Sequence, residues 1–365
     1  MIELIVNGNP FTEFISASVT TSIATMAGDF NFTASSVDDI PTFKKRDPII
    51  VSVEGEKKLT GFIDEISGVD QEGSHTVSYS GRDKTGDFVD SQINVIDELR
   101  PSGALTLKRI IEAVISHLGS DLVVIDDVNP AAFDVVEDRI NTQVGQSTLD
   151  FLLPLARKRQ VLLPSNSDGN IVISQSQPID SGAVLQRLLR SDTNNIISQS
   201  WELDDTQEFN VYIHRGQLDP RALNSAGETN ASSIEDQGAI VTITGPRVGR
   251  QKVILETGSY SNKQLKDRAL WASQLAKARA TRFNCVAQGH RNTAGQLWQE
   301  NTLVQINSEV ADISRKMLLN MITFSQGEGQ ATITNLEFVE KDVYTIDASK
   351  LAQKPAGDLN DAFVG

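Results

Sequence analysis

The chain has 365 residues, 39% of them hydrophobic and 22% charged, which excludes a disordered or fibrous chain and leaves room for two or three domains with sizeable cores. Lys and Arg number 33 against 48 Asp and Glu, a formal net charge of −15, the wrong sign for a protein that grips nucleic acid. The single cysteine, Cys285, excludes an intrachain disulfide and a cysteine-rich metal site, and no apolar run approaches the roughly 18 residues of a membrane-spanning helix.

Met1-Ile2-Glu3-Leu4-Ile5-Val6 lacks a basic flank and a long apolar stretch, and reads as a first strand rather than a secretion signal. Asn7-Gly8 is a hairpin turn signal, after which the chain resumes through Phe14–Thr25. Phe30–Thr33 alternates, Asp47-Pro48 introduces Ile49–Val53, and Leu59–Ile66 and Thr76–Ser80 follow. So many short strands separated by turn signals predict a barrel or sandwich.

The last of these strands runs into Gly81-Arg82-Asp83-Lys84-Thr85-Gly86-Asp87-Phe88-Val89-Asp90-Ser91, where five charges fall within nine positions. Ions buried without partners are costly, so the cluster must pair or stay wet. Arg82 and Lys84 can pair with Asp83, Asp87 or Asp90. One reading is a solvated turn, with Gly81 and Gly86 supplying a permissive backbone. The other is a junction where one domain, or one subunit, locks onto the next.

From Pro101 the apolar period changes. Leu105, Ile110, Ile111, Val114, Ile115 and Leu118 fall mostly at three- and four-residue spacing, and Gly119 is placed to end a helix. Leu122–Ile125 is a short strand. Ser147 is an N-cap with Asp150 in the first turn of a second helix, which carries Leu149, Leu152, Leu153 and Ala156 and is made irregular by Pro154. Val161–Leu163 and Ile171–Ile173 flank Asn166-Ser167-Asp168-Gly169-Asn170, a hairpin turn that lacks the closing Glu of a calcium loop.

Strands return at Ile196–Leu203, Phe209–His214, Ala239–Thr244 and Val253–Glu256, with a polar loop over 216–238. A helix is predicted over 262–283, its apolar stripe formed by Leu265, Ala269, Ala272, Ala276, Ala280 and Phe283. Its other faces carry Lys263, Lys266, Arg268, Lys277, Arg279 and Arg282 against the lone acid Asp267, either as a solvated surface or as one that meets an acidic neighbour. Cys285–Ala287, Thr302–Ile306, Met317–Ser325 and 330–340 supply closing strands, with Gly327-Glu328-Gly329 as a turn. The expected fold is therefore α+β and mainly β. A first barrel occupies 1–95, a small α/β module is inserted at 96–190, a second barrel with one long helix spans 191–345, and an extended tail covers 346–365.

No specific catalytic constellation stands out. His75, His117, His214 and His290 are scattered singly, and no HExxH pair, phosphate loop or GxSxG elbow occurs. Asp38-Asp39, Asp126-Asp127 and Asp204-Asp205 are adjacent pairs, which on a strand point to opposite faces rather than across a cleft. The expectation is a protein that is not an enzyme, with no cofactor, no metal and no membrane anchor.

The segment Gly81–Ser91 resembles the GRD-K-x-x-D-x-V-D-S segment of the tail hub (baseplate hub) proteins of Mu-type contractile-tailed phages. Related hub folds occur in other contractile phages, in R-type bacteriocins and in type VI secretion spikes. Leu59-Thr60-Gly61-Phe62-Ile63-Asp64-Glu65-Ile66 before it, and Gly145-Gln146-Ser147 with Leu149, Leu152, Leu155 and Ala156 after it, support the resemblance in order and spacing. It implies two barrels of tail-tube type side by side in one chain and a homotrimeric ring. Six quasi-equivalent positions then adapt a six-fold tail tube to a three-fold central spike, and inner strands line a channel that DNA crosses without specific binding. The implied partners are the tail tube protein, the central spike protein and baseplate wedge proteins, in a virion tail baseplate assembled in the host cytoplasm. Such a ring carries −45 formal charges, three times the −15 of one chain. Arg82, Asp83, Lys84, Asp87, Asp90, Arg268, Arg279 and Arg282 are the candidate intersubunit or interdomain contacts. Two alternatives are a tail-associated cell-wall hydrolase, which needs a clustered carboxylate or histidine site, and a host-binding tail-tip module, which needs an exposed aromatic platform.

Overall fold

A computed structural model describes residues 1–35, 43–72, 74–94, 96, 99, 105–127, 140, 142–217, 238–242, 249–259, 262–329 and 331–344. The fold is α+β and mainly β, as the strand density predicts. Two compact units are present. One is built from Met1–Trp201 with Arg282–Lys341, the other from Glu202–Thr281 with the segment after Lys341.

The first unit begins with β1 (Ile2–Val6), β2 (Asn9–Phe11), β3 (Ser16–Ser22), β4 (Asp29–Ser35), β5 (Pro48–Val53), β6 (Glu56–Gln71) and β7 (Ser74–Asp83). Asn7 and Gly8 both take positive φ, 54° and 78°, as a two-residue hairpin with the twist of its strands requires. After α1 (Thr85–Asp90) and β8 (Gln92–Ile93) comes a small module of α2 (Leu107–Leu118), β9 (Val124–Asp126), β10 (Gln146–Ser147), α3 (Thr148–Arg159) and β11 (Ile171–Ile173). Thr106 caps α2 by accepting from the Arg109 N–H, and Gly119 ends it in the left-handed conformation. Ser147 caps α3 by accepting from the Asp150 N–H. The module has its own core, in which Ile110, Ile111 and Val114 of α2 meet Leu152 of α3 and Ile171 of β11.

The unit is completed by β12 (Ile179–Arg187), β13 (Ile196–Leu203), β17 (Thr281–Gln288), β18 (Thr302–Ser308), β19 (Ile313–Gly327) and β20 (Ile333–Glu340). These join the N-terminal strands in one sheet of order β13-β17-β20-β19-β3-β4-β7-β6-β5-β1-β2, with β18 also on β19 and β12 on β18. The joint is the antiparallel β19–β3 ladder, where Phe324 stands opposite Val19 and Thr323 opposite Thr20. Alternation puts Val19, Phe30, Phe32, Tyr79, Phe283, Phe324 and Phe338 into a single core, with Phe32 stacked on Tyr79 at 4.9 Å. Strands from the two ends of the chain thus bury one another.

The second unit holds β14 (Val211–Gln217), β15 (Gly238–Thr242), β16 (Gln251–Ser259) and α4 (Asn262–Ala280). Its sheet runs β15-β14-β16, and Tyr212 of β14 packs on Ala269 and Ala276 of α4. The helix predicted to reach 283 stops at Ala280. Thr281-Arg282-Phe283 open β17, where Phe283 pairs opposite Phe338 inside the sheet core. A β-branched residue followed by an aromatic that fills a strand position overrides the helical period there, so Arg282 stands on a strand. Most of the loop expected at 216–238, and the tail at 346–365, lie outside the described residues.

Candidate functional site

The charged segment after β7 is built around two glycines. A Cβ on Gly81 would lie 2.0 Å from the Phe62 carbonyl oxygen, and one on Gly61 would lie 1.9 Å from the Arg82 carbonyl oxygen. β6 and β7 therefore touch backbone to backbone. Just beyond, the ladder shifts register between Ile63 and Glu65, which leaves Asp64 as the extra residue of a bulge. The Arg82 Nε donates to Asp64 Oδ2 at 3.0 Å, while its two Nη groups donate to Asp90 Oδ1 and Oδ2 at 3.0 and 2.6 Å. This is a fork on a fork, the strongest geometry an arginine can make with a carboxylate. Gly86 makes room for it, since a Cβ there would stand 3.0 Å from Arg82 Cβ and 3.1 Å from its Nε. The Arg82 hydrogen bonds hold the Asp90 carboxyl below the usual carboxylate range, and Asp90, then Asp64, push the guanidinium further up.

Asp83 points the other way and is buried. Its Oδ2 accepts from the Gly28 N–H at 2.8 Å and from the Ser165 hydroxyl, and its Oδ1 accepts from the Thr85 N–H at 2.9 Å and the Thr85 hydroxyl at 2.5 Å. One carboxylate thus ties the β3–β4 connection, the start of α1 and the module together. Lys84 donates its N–H to the Thr60 carbonyl at 3.1 Å and holds its Nζ 3.6 Å from Asp121 Oδ2. Beside it Thr60 donates to the Ser167 carbonyl at 2.8 Å, and Lys57 pairs with Asp168. Asp87 lies exposed in the first turn of α1, its carbonyl accepting from the Ser91 hydroxyl. Arg82, Asp83, Lys84 and Asp90 all find partners within one chain: Arg82 and Asp90 tie β6 and β7 to α1, and Asp83 and Lys84 reach Ser165 and Asp121 of the module.

The remaining candidates belong to other elements. Arg268 is half-buried on α4, where Lys266 and Lys277 are exposed, and Arg282 is exposed on β17. The side chain of Arg279 lies outside the described residues. The histidines do not gather: His75 Nδ1 meets Asp70 at 3.0 Å, and buried His290 directs Nε2 at the Ser325 carbonyl at 3.2 Å and Nδ1 towards Glu54, 3.8 Å away. Burial pushes the His290 imidazole down. Asp204 caps its own turn by accepting from the Thr206 N–H and hydroxyl, which pulls its carboxyl down. No cluster of three metal-binding side chains occurs among the described residues.

The second feature is the face of the large sheet turned away from the core. Across it, Ser80, Asn31, Ser18 and Ser325 stand in one row of adjacent strands, and Thr20, Thr323 and Asn335 in the next. Thr20 and Thr323 share a hydrogen bond of 3.1 Å, as do Thr33 and Ser78 at 3.0 Å. Two of the charges near it are paired: Arg82 is forked as described, and Glu337 accepts from Asn320 Nδ2 at 2.7 Å. Strands β7, β4, β3, β19 and β20 thereby present a carpet of small neutral hydroxyls and amides.

The ends of this sheet match known families. Residues 1–83, which end on Asp83 of the clamp, match the N-terminal domain of Mu phage baseplate assembly protein GpP-like proteins, and residues 261–347 match the fourth domain of Mu phage baseplate assembly protein GpP. Both matches are to proteins of the Mu phage baseplate. The whole chain also aligns with 95% of the baseplate hub protein gp44 of Escherichia phage Mu at 24% identity. In structure it resembles the 43 kDa tail protein of prophage MuSo2 from Shewanella oneidensis, with TM-score 0.77, 24% identity, and coverage of 94% of this chain and 99% of that one. It also resembles a tail protein from Neisseria meningitidis, with TM-score 0.74, 18% identity, and coverage of 95% and 98%. The expected resemblance to Mu-type hub proteins is borne out: the two matching family models describe Mu phage baseplate proteins, and the aligned relative is a baseplate hub protein.

The sequence pointed to the right segment but not to its partners. Asp64, Gly28 and Ser165 come from distant stretches, and only the pairing of β6 with β7 and the folding back of the 166–170 turn reveal them. The one available signal was Gly61 in a β-branched and apolar strand, where glycine marks close backbone approach.

Proposed function

We propose that the chain is the trimeric hub of a contractile tail baseplate, adapting a six-fold tail tube to a three-fold central spike. The observation that carries this reading is the continuous sheet in which strands from the two family-matched ends pair through β19 and β3. Two tube-like sets in one chain give three chains six similar positions, enough to face a hexameric tube on one side and a trimeric spike on the other.

The neutral face of that sheet supports a role as channel wall. A DNA chain or protein tape that must slide needs a surface that neither pairs with phosphates nor offers apolar grip. Hydroxyls and amides that already bond to one another satisfy both conditions. The −45 formal charges of a ring, three times −15, then act mainly at a distance, discouraging adhesion while repelling subunits. Asp83 and Lys84 act as interdomain fasteners that keep the module in register with the sheet, while Arg82 and Asp90 hold α1 to it. Asp87, with Arg268, Arg279 and Arg282, is left for contacts with neighbouring subunits or with wedge proteins. The ring sits in the virion tail after assembly in the host cytoplasm.

The test is reconstitution with the cognate spike and tube proteins. Three chains bound per spike trimer, with tube hexamers adding only to that complex, is the expected result. Binding of one chain per spike trimer, or tube binding without the hub ring, refutes the adaptor role.

A further inference from the structure

Just before β5 the acidic chain carries three consecutive cations, Lys44-Lys45-Arg46, and the fold presents them on a fixed turn. On one side Phe43 packs against the sheet core, its ring 5.1 Å from Phe11, 5.4 Å from Tyr79 and 6.0 Å from Phe32. On the other side the Arg46 N–H donates to the Ile63 carbonyl at 2.7 Å and the Ile63 N–H donates to the Asp47 carbonyl at 3.1 Å, which ties the run to β6. The Asp47 N–H closes the turn on the Lys44 carbonyl at 3.1 Å, and Asp47 Oδ2 accepts from the Lys44 N–H at 2.8 Å. Arg46, the third residue of this turn, has φ 74°, and Lys45 before it does not share the positive φ. That is the type II position which glycine fills without strain. An arginine kept there at a cost in backbone strain points to a use for its side chain. All three side chains are exposed, and none has an ion-pair or hydrogen-bond partner among the described residues. Lys57, Arg82, Lys84, Arg315 and Lys316, by contrast, each meet a carboxylate of their own chain.

We propose that the Lys44–Arg46 turn is a contact site for carboxylates on the surface of a second copy of this chain. Charge complementarity selects that occupant. A chain with 48 acids against 33 bases brings the acidic surface itself, and a protein contact needs only a few opposite charges set face to face. A DNA duplex is held through roughly six to ten phosphate contacts, which three cations on a chain of net charge −15 do not supply. The rigid turn suits the task, because side chains on a fixed backbone lose less freedom when they pair. The proposal rests on the hub reading and deepens it, by naming cations that offset the mutual repulsion of acidic subunits.

The test measures self-association of the full-length chain by sedimentation velocity at fixed salt, with circular dichroism verifying folding. The variants are Lys44→Glu with Lys45→Glu, and Arg46→Gly. Arg109→Glu with Arg157→Glu, at exposed positions of α2 and α3, makes the same change of net charge elsewhere. The lysine reversals are expected to weaken association at least about tenfold, and the control less than about threefold. Arg46→Gly should weaken association while its urea midpoint stays equal to or above the parent's, a split that a purely structural arginine would not give. Carbodiimide joins amines to carboxylates in direct contact. In a mixture of unlabelled and nitrogen-15-labelled chains it should link Lys44 or Lys45 of one copy to an Asp or Glu of the other. Equal association of parent and variants, an equal loss in the control, or links confined to single chains overturn the proposal. Binding of a labelled duplex of about 20 base pairs by the parent but not by the lysine reversals, with association unchanged, assigns the turn to phosphate and also overturns it. If the ring forms undiminished in the variants, only this contact falls and the hub reading stands. A chain that is monomeric at every concentration removes the second copy as occupant and leaves the hub reading to the spike reconstitution.

Discussion

Replacing Asp83 by alanine removes the acceptor shared by four donors. The Thr85 and Ser165 hydroxyls can rotate to other partners, but the Gly28 and Thr85 N–H groups cannot. Each buried N–H left without an acceptor costs about 1–3 kcal/mol, and the lost charge-assisted bonds add to that, so the total is about 3–5 kcal/mol, the range for breaking a buried charged network. Against the roughly 5–15 kcal/mol that stabilises an ordinary domain, this is large. It should also be local, because the bonds run between the sheet and the module and each has its own core. Hydrogen exchange read by mass spectrometry should show opening free energies falling by that amount in 162–173 and at the start of α1, with the β3–β19 ladder nearly unchanged. A double-mutant cycle with Ser165→Ala should return a coupling above about 0.5 kcal/mol. An Asp83→Ala protein within about 0.5 kcal/mol of the parent in every segment, or one that loosens the sheet and the module equally, refutes the clamp.

Gly81→Ala should prevent correct folding, because the added Cβ meets the Phe62 carbonyl oxygen at 2.0 Å and the Phe30 ring at 2.8 Å; soluble yield and near-ultraviolet circular dichroism check it, and a native spectrum contradicts it. Burial lowers the His290 pKa from 6.5, so the unfolded chain binds the proton more readily. His290 therefore contributes stability that is present above about 6.5 and lost as pH falls through its folded value. Urea midpoints between about pH 7.5 and 5.5 should drop in the parent and drop less in His290→Gln. Lys266→Glu with Lys277→Glu, both exposed on α4, should leave the thermal midpoint of the isolated chain within a few degrees while weakening its association; unchanged association removes the basic helix from the list of contacts.

Local features were readable wherever a short stretch decides its own structure. The Asn7-Gly8 hairpin, the Ser147 cap with Asp150 and the Gly119 stop appear at the predicted residues because each is settled by a turn or a cap. The end of α4 was not, because Ala280 and Thr281 differ little in local signal; what ends the helix is the slot for Phe283 opposite Phe338, 55 residues later in the chain. The same holds for the clamp. Arg82 and Asp83 announce a demand for partners, yet Ser165 is 82 residues from Asp83, and no periodicity links them. The hydroxyl face was present as Ser18, Thr20, Asn31 and Thr33 alternating with apolar residues, but only the strand order shows that they lie side by side.

The most direct measurement of the central claim is the mass of the purified chain by light scattering across a range of concentration and salt, with negative-stain images of the same samples. The hub account predicts a species of three times the chain mass that appears as a ring with a central opening and weakens at low salt, where repulsion among 45 net negative charges, three times the 15 of one chain, is least screened. A stable dimer or tetramer, or a trimer without a central opening, contradicts it.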